Sequence, residues 1–346
     1  MRVVVTGAAG FIGRALVDRL AQRGVDVLAL VRDPSTASYL AQPRVTLEAS
    51  DLTDPAALER QFAATDGVIH AAGSYRVGIA HAERPRMLDA NLGTTERVLD
   101  AAMAAGTRRI VYVSTASVFG DTGGRVVDEA YRRDPGTKVG RFVSWYDETK
   151  YRAHQAAEQR IAGGAPVVVV IPGQVYGPDD HSAASAQLEM AFKGKLRYLV
   201  FPRTGLAWVH VDDLAGGIVA ALIRGRIGQS YVLAGAPLRM GESMAIAAGA
   251  GGHKPPRVTL PTTALRLLAA LQRRGLRLAN APDNLTETIT AGDNVTYWAS
   301  HARATRELGF DPRPLARGVA DTWGAPGPAP GPAPGPTGAR GRLKTD

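Results

Sequence analysis

Cysteine is absent from the 346 residues, which excludes disulfides, a thiol nucleophile and a cysteine-ligated metal and fits a reducing, cytoplasmic setting. No apolar run approaches the roughly 20 residues of a membrane span, and the N-terminus leads directly into a strand pattern, not into a signal peptide. No basic run is interleaved with aromatics, so nucleic acid is not expected as a partner. The histidines, among them His70, His154, His181 and His210, show no HxxxH or comparable spacing, so no metal site is expected. His210 reads instead as a buried structural partner at a strand end. What the chain has in excess is positive charge: 41 Lys and Arg against 32 Asp and Glu, a net +9, which suits anionic ligands without demanding nucleic acid. An apolar content of 45% supports a real core.

The first thirteen residues, MRVVVTGAAGFIG, carry the strongest local signal. Val3, Val4 and Val5 form a β-branched, polar-free run, as in a strand buried on both faces of a parallel sheet. Gly7 permits a sharp bend, Gly10 lets backbone approach a pyrophosphate, and Gly13 lets the following helix press on the sheet with its N–H groups aimed at the anion. Ile12, Leu16, Val17 and Leu20 then recur at helical spacing up to Gly24. The spacing is GxxGxxG, not the GxGxxG of the usual dinucleotide fingerprint.

Residues 2–6, 26–31, 44–48, 67–71, 109–114 and 166–171 read as strands separated by helical stretches, the signature of an α/β fold with a Rossmann-type doubly wound parallel sheet. The expected nucleotide-binding domain spans 1–175, with 207–234 returning to it as strand, helix and strand. Residues 176–206 and 235–322 form a smaller C-terminal α+β substrate-binding domain. Within it, a helix at about 262–278 carries Leu265, Leu267, Leu268, Leu271 and Leu276 beside Arg266, Arg273, Arg274 and Arg277. Such a basic amphipathic helix can lie on a membrane, but a lid packing its apolar side on the core is the more ordinary role and is the expectation. Residues 325–346, rich in Pro and Gly, cannot bury enough apolar surface to fold and read as a disordered tail.

Tyr146 and Lys150 stand four apart in WYDETKYRAHQAAEQR and share a helix face. A free phenol with a pKa near 10 is too weak a base at neutral pH, and an adjacent ammonium would lower it. Tyr146 could then give a proton to a carbonyl oxygen being reduced, or take one from an alcohol being oxidised. Upstream, the strand-like IVYVSTASVFG ends in the hydroxyls of Ser114, Thr115 and Ser117, one of which could donate to a substrate oxygen.

The ordered set TGAAGFIG, DLTD, VIHAAG, DANLGTTERVLDAA, VSTASVFG and YDETK resembles the extended short-chain dehydrogenases/reductases over residues 1–322. The GxxGxxG spacing is the one that family uses. The resemblance implies a nicotinamide cofactor, with Tyr146 as acid/base and Lys150 lowering its pKa while holding the nicotinamide ribose. It also implies Thr115 as the substrate-polarising hydroxyl and Asn91 as a structural asparagine of the catalytic set. Gly7, Gly10, Phe11, Ile12 and Gly13 would hold the pyrophosphate, Asp51 and Leu52 would contact adenine, and Ala71, Ala72 and Gly73 would pass beneath the cofactor. Pro172, Gly173 and Val175 would flank the nicotinamide. Ser74, Tyr75, Gln174 and Tyr176 are the expected substrate-lining residues, and the family implies a homodimer through helices at about 86–105 and 146–162.

Enzymes of this kind that use NAD commonly hold the ribose with an acid at the end of the second strand. Here Val31 stands there and Arg32 follows, which favours a 2′-phosphate and hence NADP(H) over NAD(H), although Asp33 could still reach a ribose hydroxyl. Nucleotide-sugar epimerases resemble R-x-F-N-x-x-G where this chain has IPGQVYG, and Ile171, Gln174 and Leu206 replace three polar partners. The expected activity is therefore hydride transfer between NADP(H) and the carbonyl or secondary alcohol of a mostly apolar small molecule. A nucleotide-sugar epimerase is the alternative, and a non-catalytic NADP-sensing scaffold the second.

Overall fold

A computed structural model describes residues 1–275 and 281–324. The tail from 325 onward and the end of the expected helix at 276–278 lie outside the described residues.

The chain opens with β1 (Arg2–Thr6), α1 (Phe11–Gln22), β2 (Asp26–Val31), β3 (Val45–Ala49), α2 (Pro55–Phe62) and β4 (Gly67–His70). It continues through α3 (Arg84–Leu88), a π-turn at Asp89–Gly93, α4 (Thr94–Ala104), β5 (Ile110–Val113), α5 (Trp145–Ala162) and β6 (Val167–Pro172). Together with β10 (Ser230–Leu233) these strands form one sheet in the order β10-β6-β5-β4-β1-β2-β3, parallel throughout. Alternate residues of β1 face opposite layers, as the pleat requires. Val3 and Val5 join Leu16, Val17 and Leu20 of α1, while Val4 joins Val98 and Leu99 of α4 and Ala153 and Ala157 of α5. Each such large aliphatic side chain contributes about 1.5–3 kcal/mol by leaving water.

The chain passes from β3 at the sheet edge back to β4, beside β1. The strand order reverses there, so the carboxyl ends of β1 and β4 bound a crevice of the kind that receives ligands in open α/β sheets.

The remaining elements are β7 (Gln174–Tyr176), α6 (Ala183–Phe192), β8 (Tyr198–Leu199), β9 (Gly205–His210), α7 (Val211–Arg224), β11 (Pro237–Arg239), α8 (Met240–Ala250), β12 (Val258–Thr259), α9 (Thr262–Arg273), α10 (Leu285–Gly292), α11 (Ala302–Leu308) and α12 (Leu315–Trp323). Two details depart from the sequence reading. The strand of the returning segment, β9, pairs with β7 and β11 in a separate three-stranded sheet, and only α7 and β10 rejoin the main layer. Conversely, Ala304, Leu308 and Phe310, in and after α11, pack into the main core. His210 caps α7, accepting from the Asp212 N–H at 3.2 Å.

The second region has its own core of Leu188, Trp208, Met244 and Val319. Tyr176, expected on the substrate wall, belongs to this core. Its ring is fully buried, edge-on to Trp208 at 6.0 Å and to His210 at 5.4 Å. A smaller cluster joins α9 to α10 through Leu265, Ala269, Leu285 and Ile289.

Candidate active site

A cleft of about 620 Å³ opens at the switch point. Gly7, Gly10, Arg32, Leu52, Ala71, Ala72, Gly73 and Ser74 of the expected set all line it. Gly7 has φ +71°, and a Cβ on it would lie 2.7 Å from the Ala72 backbone, so only glycine lets the end of β1 lie against the exit of β4. A Cβ on Gly13 would lie 2.0 Å from the Gly7 carbonyl, which fixes how tightly α1 starts on the turn. Gly10 precedes that helix with no side-chain cap, and its first turn holds no acidic residue. These features fit a dinucleotide pyrophosphate, an anion received by backbone at a helix start. Phe11 and Ile12, in the same turn, are half-buried.

At the end of β2, Arg32 is exposed on the cleft rim and forms no ion pair among the described residues. The Asp33 carboxylate turns back on its own loop, accepting from the Ser35 N–H at 2.9 Å and the Ser35 hydroxyl at 2.7 Å, and these bonds hold its pKa below the ordinary value. Asp51 behaves likewise: its carboxylate accepts from the N–H and hydroxyl of Thr53, and Leu52 alone of that pair reaches the cleft. Pro172, Gly173 and Val175 lie at the carboxyl end of β6 and beyond it, outside the lining of this cleft. Gly173 is needed for close packing, since a Cβ there would meet the Ala207 carbonyl at 2.1 Å. Gln174 is half-buried in β7, and Tyr75 is 54% exposed with its ring edge-on to Tyr146 at 4.9 Å.

Helix α5 delivers Tyr146 and Lys150. Ser144 caps it, accepting from the Asp147 N–H at 3.1 Å, and Asp147 and Glu148 in its first turn complement the helix dipole. Both Tyr146 and Lys150 are buried. Lys150 Nζ donates to the Val113 carbonyl at 3.2 Å and to the Tyr112 hydroxyl at 3.4 Å. Among the described hydrogen bonds, none joins Lys150 to the Tyr146 hydroxyl. Burial, reinforced by the Tyr75 phenol, pushes the Tyr146 phenol well up, while its hydrogen bond with Thr115 works weakly the other way. Burial also lowers the Lys150 ammonium to about 8.

Thr115 serves a turn as well: its hydroxyl caps the short 3₁₀ segment Ala116–Phe119, accepting from the Ser117 N–H at 3.3 Å. The Ser114 hydroxyl is bonded to His154 Nδ1 at 2.9 Å. Asn91, fully buried in the π-turn, accepts from the Ser74 N–H at 2.8 Å and donates to the Ser74 carbonyl at 3.1 Å and to Thr149 Oγ1 at 3.0 Å. It thereby ties the β4 exit loop to α5.

Two supports of this helix escaped the sequence reading. Arg133 and Asp147 form a bidentate pair, both side chains almost wholly buried, and Arg133 also donates to the Gly140 carbonyl at 2.6 Å and the Arg141 carbonyl at 2.7 Å. Glu287 of α10 accepts from the Trp145 N–H at 2.7 Å, so the second region grips the first turn of α5. The only trace of the first pair in the sequence is an acid after the motif tyrosine, and of the second there is none. Arg76, Ile79, Arg86 and Met87, which line the cleft, were not among the expected site residues.

A model of the NAD dependent epimerase/dehydratase family matches residues 3–234. A 4-hydroxy-2-methyl-3-oxo-4-farnesyl-3,4-dihydroquinoline-1-oxide ketoreductase of Stigmatella aurantiaca is 31% identical over 339 residues, covering 95% of this chain and 97% of that protein. A 3 beta-hydroxysteroid dehydrogenase/Delta 5-->4-isomerase of Mycobacterium tuberculosis is 28% identical, covering 90% of this chain and 86% of that protein. Among solved structures, gox2253 superposes with a TM-score of 0.76 at 30% identity, covering 93% of this chain and 97% of that one. A UDP-glucuronic acid 4-epimerase from Bacillus cereus, in complex with UDP-glucuronic acid and NAD, shares the fold with a TM-score of 0.73 at 20% identity, over 93% and 98%. With the glycine turn, the switch-point cleft and the tyrosine helix in place, this chain belongs to the NAD dependent epimerase/dehydratase family and is an NAD(P)-dependent oxidoreductase of the extended short-chain dehydrogenase/reductase type.

Proposed function

We propose that the protein is an NADP(H)-dependent reductase of carbonyl groups on mostly apolar small molecules. The observation that carries this reading is the buried Tyr146 phenol, near the Thr115 hydroxyl and clustered with Ile79 and Met87, which stand in the wall of the cleft. Bound NADP(H) would supply or accept the hydride. Tyr146 would donate its proton to the substrate oxygen, and its raised pKa favours the protonated form that reduction requires. Thr115 would polarise that oxygen, and Lys150 would bind the cofactor ribose. Arg32, with Asp33 folded onto Ser35, would receive the 2′-phosphate, and Gly7, Gly10 and Gly13 would shape the pyrophosphate turn.

The same reading disfavours a nucleotide-sugar, because Ile171 and Leu206 are buried in apolar clusters and offer no partner to a second diphosphate. The relatives named above include a ketoreductase and a steroid dehydrogenase, which supports an apolar substrate. A cytoplasmic homodimer through α4 and α5 belongs to the proposal. Arg160 bonds Asp100 across these two helices and holds them as one face.

The test is a parallel assay of the purified protein with apolar β-keto compounds and NADPH, and with UDP-sugars and NAD. Consumption of NADPH by ketones with no sugar interconversion is expected. Sugar interconversion without ketone turnover would replace this reading with the epimerase one.

A further inference from the structure

Residues 190–211 and 243–275 contain no Asp or Glu, yet they carry four and five Lys or Arg respectively, as many as the net charge of the whole chain. The fold places these two stretches together. Strand β8 of the first pairs in parallel with β12 of the second, Tyr198 opposite Val258 and Leu199 opposite Thr259. A Cβ on Gly194 would lie 2.7 Å from the His253 ring, and one on Gly251 would meet the Phe192 carbonyl at 1.8 Å. Lys195, Arg197, Lys254 and Arg257 therefore share one region of surface, and α9 packs beside Val200 and Leu260, which follow the two strands.

Acids reach this region from neighbouring elements at two points only among the described ion pairs: Glu189 pairs with Lys193, and Asp293 pairs with Arg266 at 3.1 Å. Lys195, Arg197, Lys254, Arg257 and Arg274 are exposed and form no ion pair among the described residues. Arg197 and Arg257 immediately precede the paired Tyr198 and Val258, so like charges stand on adjacent strands, an arrangement that costs free energy until an anion answers it. Apolar side chains are exposed in the same band: Tyr198 is 49% exposed, Val258 61% and Leu267 63%.

A sequence-independent polyanion such as nucleic acid would be met by cations with stacking aromatics, and it gains nothing from Val258 and Leu267. A bilayer interface rewards both features at once, burying aliphatic side chains beneath the headgroups while cations meet acidic lipids. We infer that the β8–β12 and α9 surface docks on membranes containing anionic phospholipids. The inference stands on this surface alone. One corollary rests on the proposed reductase activity: α9 packs on α10, whose Glu287 holds the first turn of α5, so the docked surface is tied through α10 to the helix that carries Tyr146. An apolar ketone dissolved in the bilayer would then have a short path to the cleft.

Vesicle sedimentation of the full chain tests the docking without reference to turnover, using phosphatidylcholine vesicles with and without phosphatidylglycerol. Binding to the anionic vesicles only, released by raised salt, is expected. The combined variant Lys195→Glu, Arg197→Glu, Lys254→Glu, Arg257→Glu should bind at least about tenfold more weakly. Leu267→Ser, which changes no charge and no packed core position, provides a second arm and should weaken binding several-fold. Failure of the wild-type protein to bind anionic vesicles would overturn the inference. So would tighter binding to a DNA duplex that is indifferent to Leu267→Ser. Turnover of a water-soluble ketone should be the same in wild type and variants, so loss of docking and loss of the reductase reading give different results.

Discussion

Strands β1 and β4 at the centre of the main sheet, and β8 and β12 at the margin of the second region, are built in opposite ways. Val3, Val4 and Val5 are wholly buried, flanked by parallel partners on both sides and by helices on both faces. In the two-residue pair β8–β12, Tyr198 and Val258 remain exposed, in stretches that carry cations and no acid of their own. At the centre the backbone itself sets the geometry: where Gly7 meets Ala72 any side chain would collide, and the turn there is the proposed pyrophosphate seat. At the margin only side-chain chemistry distinguishes the surface. A charge change should accordingly be costly near the first region and nearly free in the second, whereas effects on partners should run the other way.

The largest expected effect is at the tyrosine helix. Tyr146→Phe should lower ketone turnover about 1000-fold while leaving NADPH binding intact, read by steady-state kinetics and a binding titration. Retained turnover would remove Tyr146 as the proton donor. Next is Arg133→Met, which strands the Asp147 carboxylate in a buried site and should cost about 3–5 kcal/mol in urea unfolding. Arg257→Glu at the margin should change stability by no more than about 0.5 kcal/mol. Equal losses in the two variants would break the contrast between the regions.

A pH series sharpens it further. Burial pulls the Lys150 ammonium from 10.5 down to about 8, so between these values the unfolded chain binds a proton that the folded chain has released. Stability contributed through this group therefore rises with pH across that window, and the cost of burying the charge is felt below about 8. Lys150→Met should flatten that slope and raise the unfolding free energy at neutral pH by about 2 kcal/mol. A slope unchanged in the variant would show that the ammonium is not desolvated.

The sheet was legible because its determinants are local and periodic. The Val3–Val5 run, the glycines at 7, 10 and 13 and the helical recurrence to Leu20 each name their structure, and β1 and α1 form there. The strand alternation named the parallel sheet, and the strand order of the structure placed the cleft within it. What could not be read depends on contacts distant in sequence: Asp147 on Arg133, Trp145 on Glu287, and the Lys150 ammonium on the Val113 carbonyl. The packing of Tyr176 was not legible because an aromatic just after a glycine turn has the same pattern whether it faces a cleft or, as here, Trp208. Strand β9 misled because its apolar run suits either sheet, and only the pairing with β7 and β11 decides between them.

The central claim, an NADP(H) reductase site with Arg32 reading the 2′-phosphate, is tested most directly by the kcat/KM ratio for NADPH over NADH in wild type and in Arg32→Asp. The wild-type ratio should exceed one by at least about tenfold and should fall toward or below one in the variant, a change of about 1.4 kcal/mol or more in cofactor discrimination. A ratio that favours NADH in the wild type, or that is unchanged by the substitution, would contradict it.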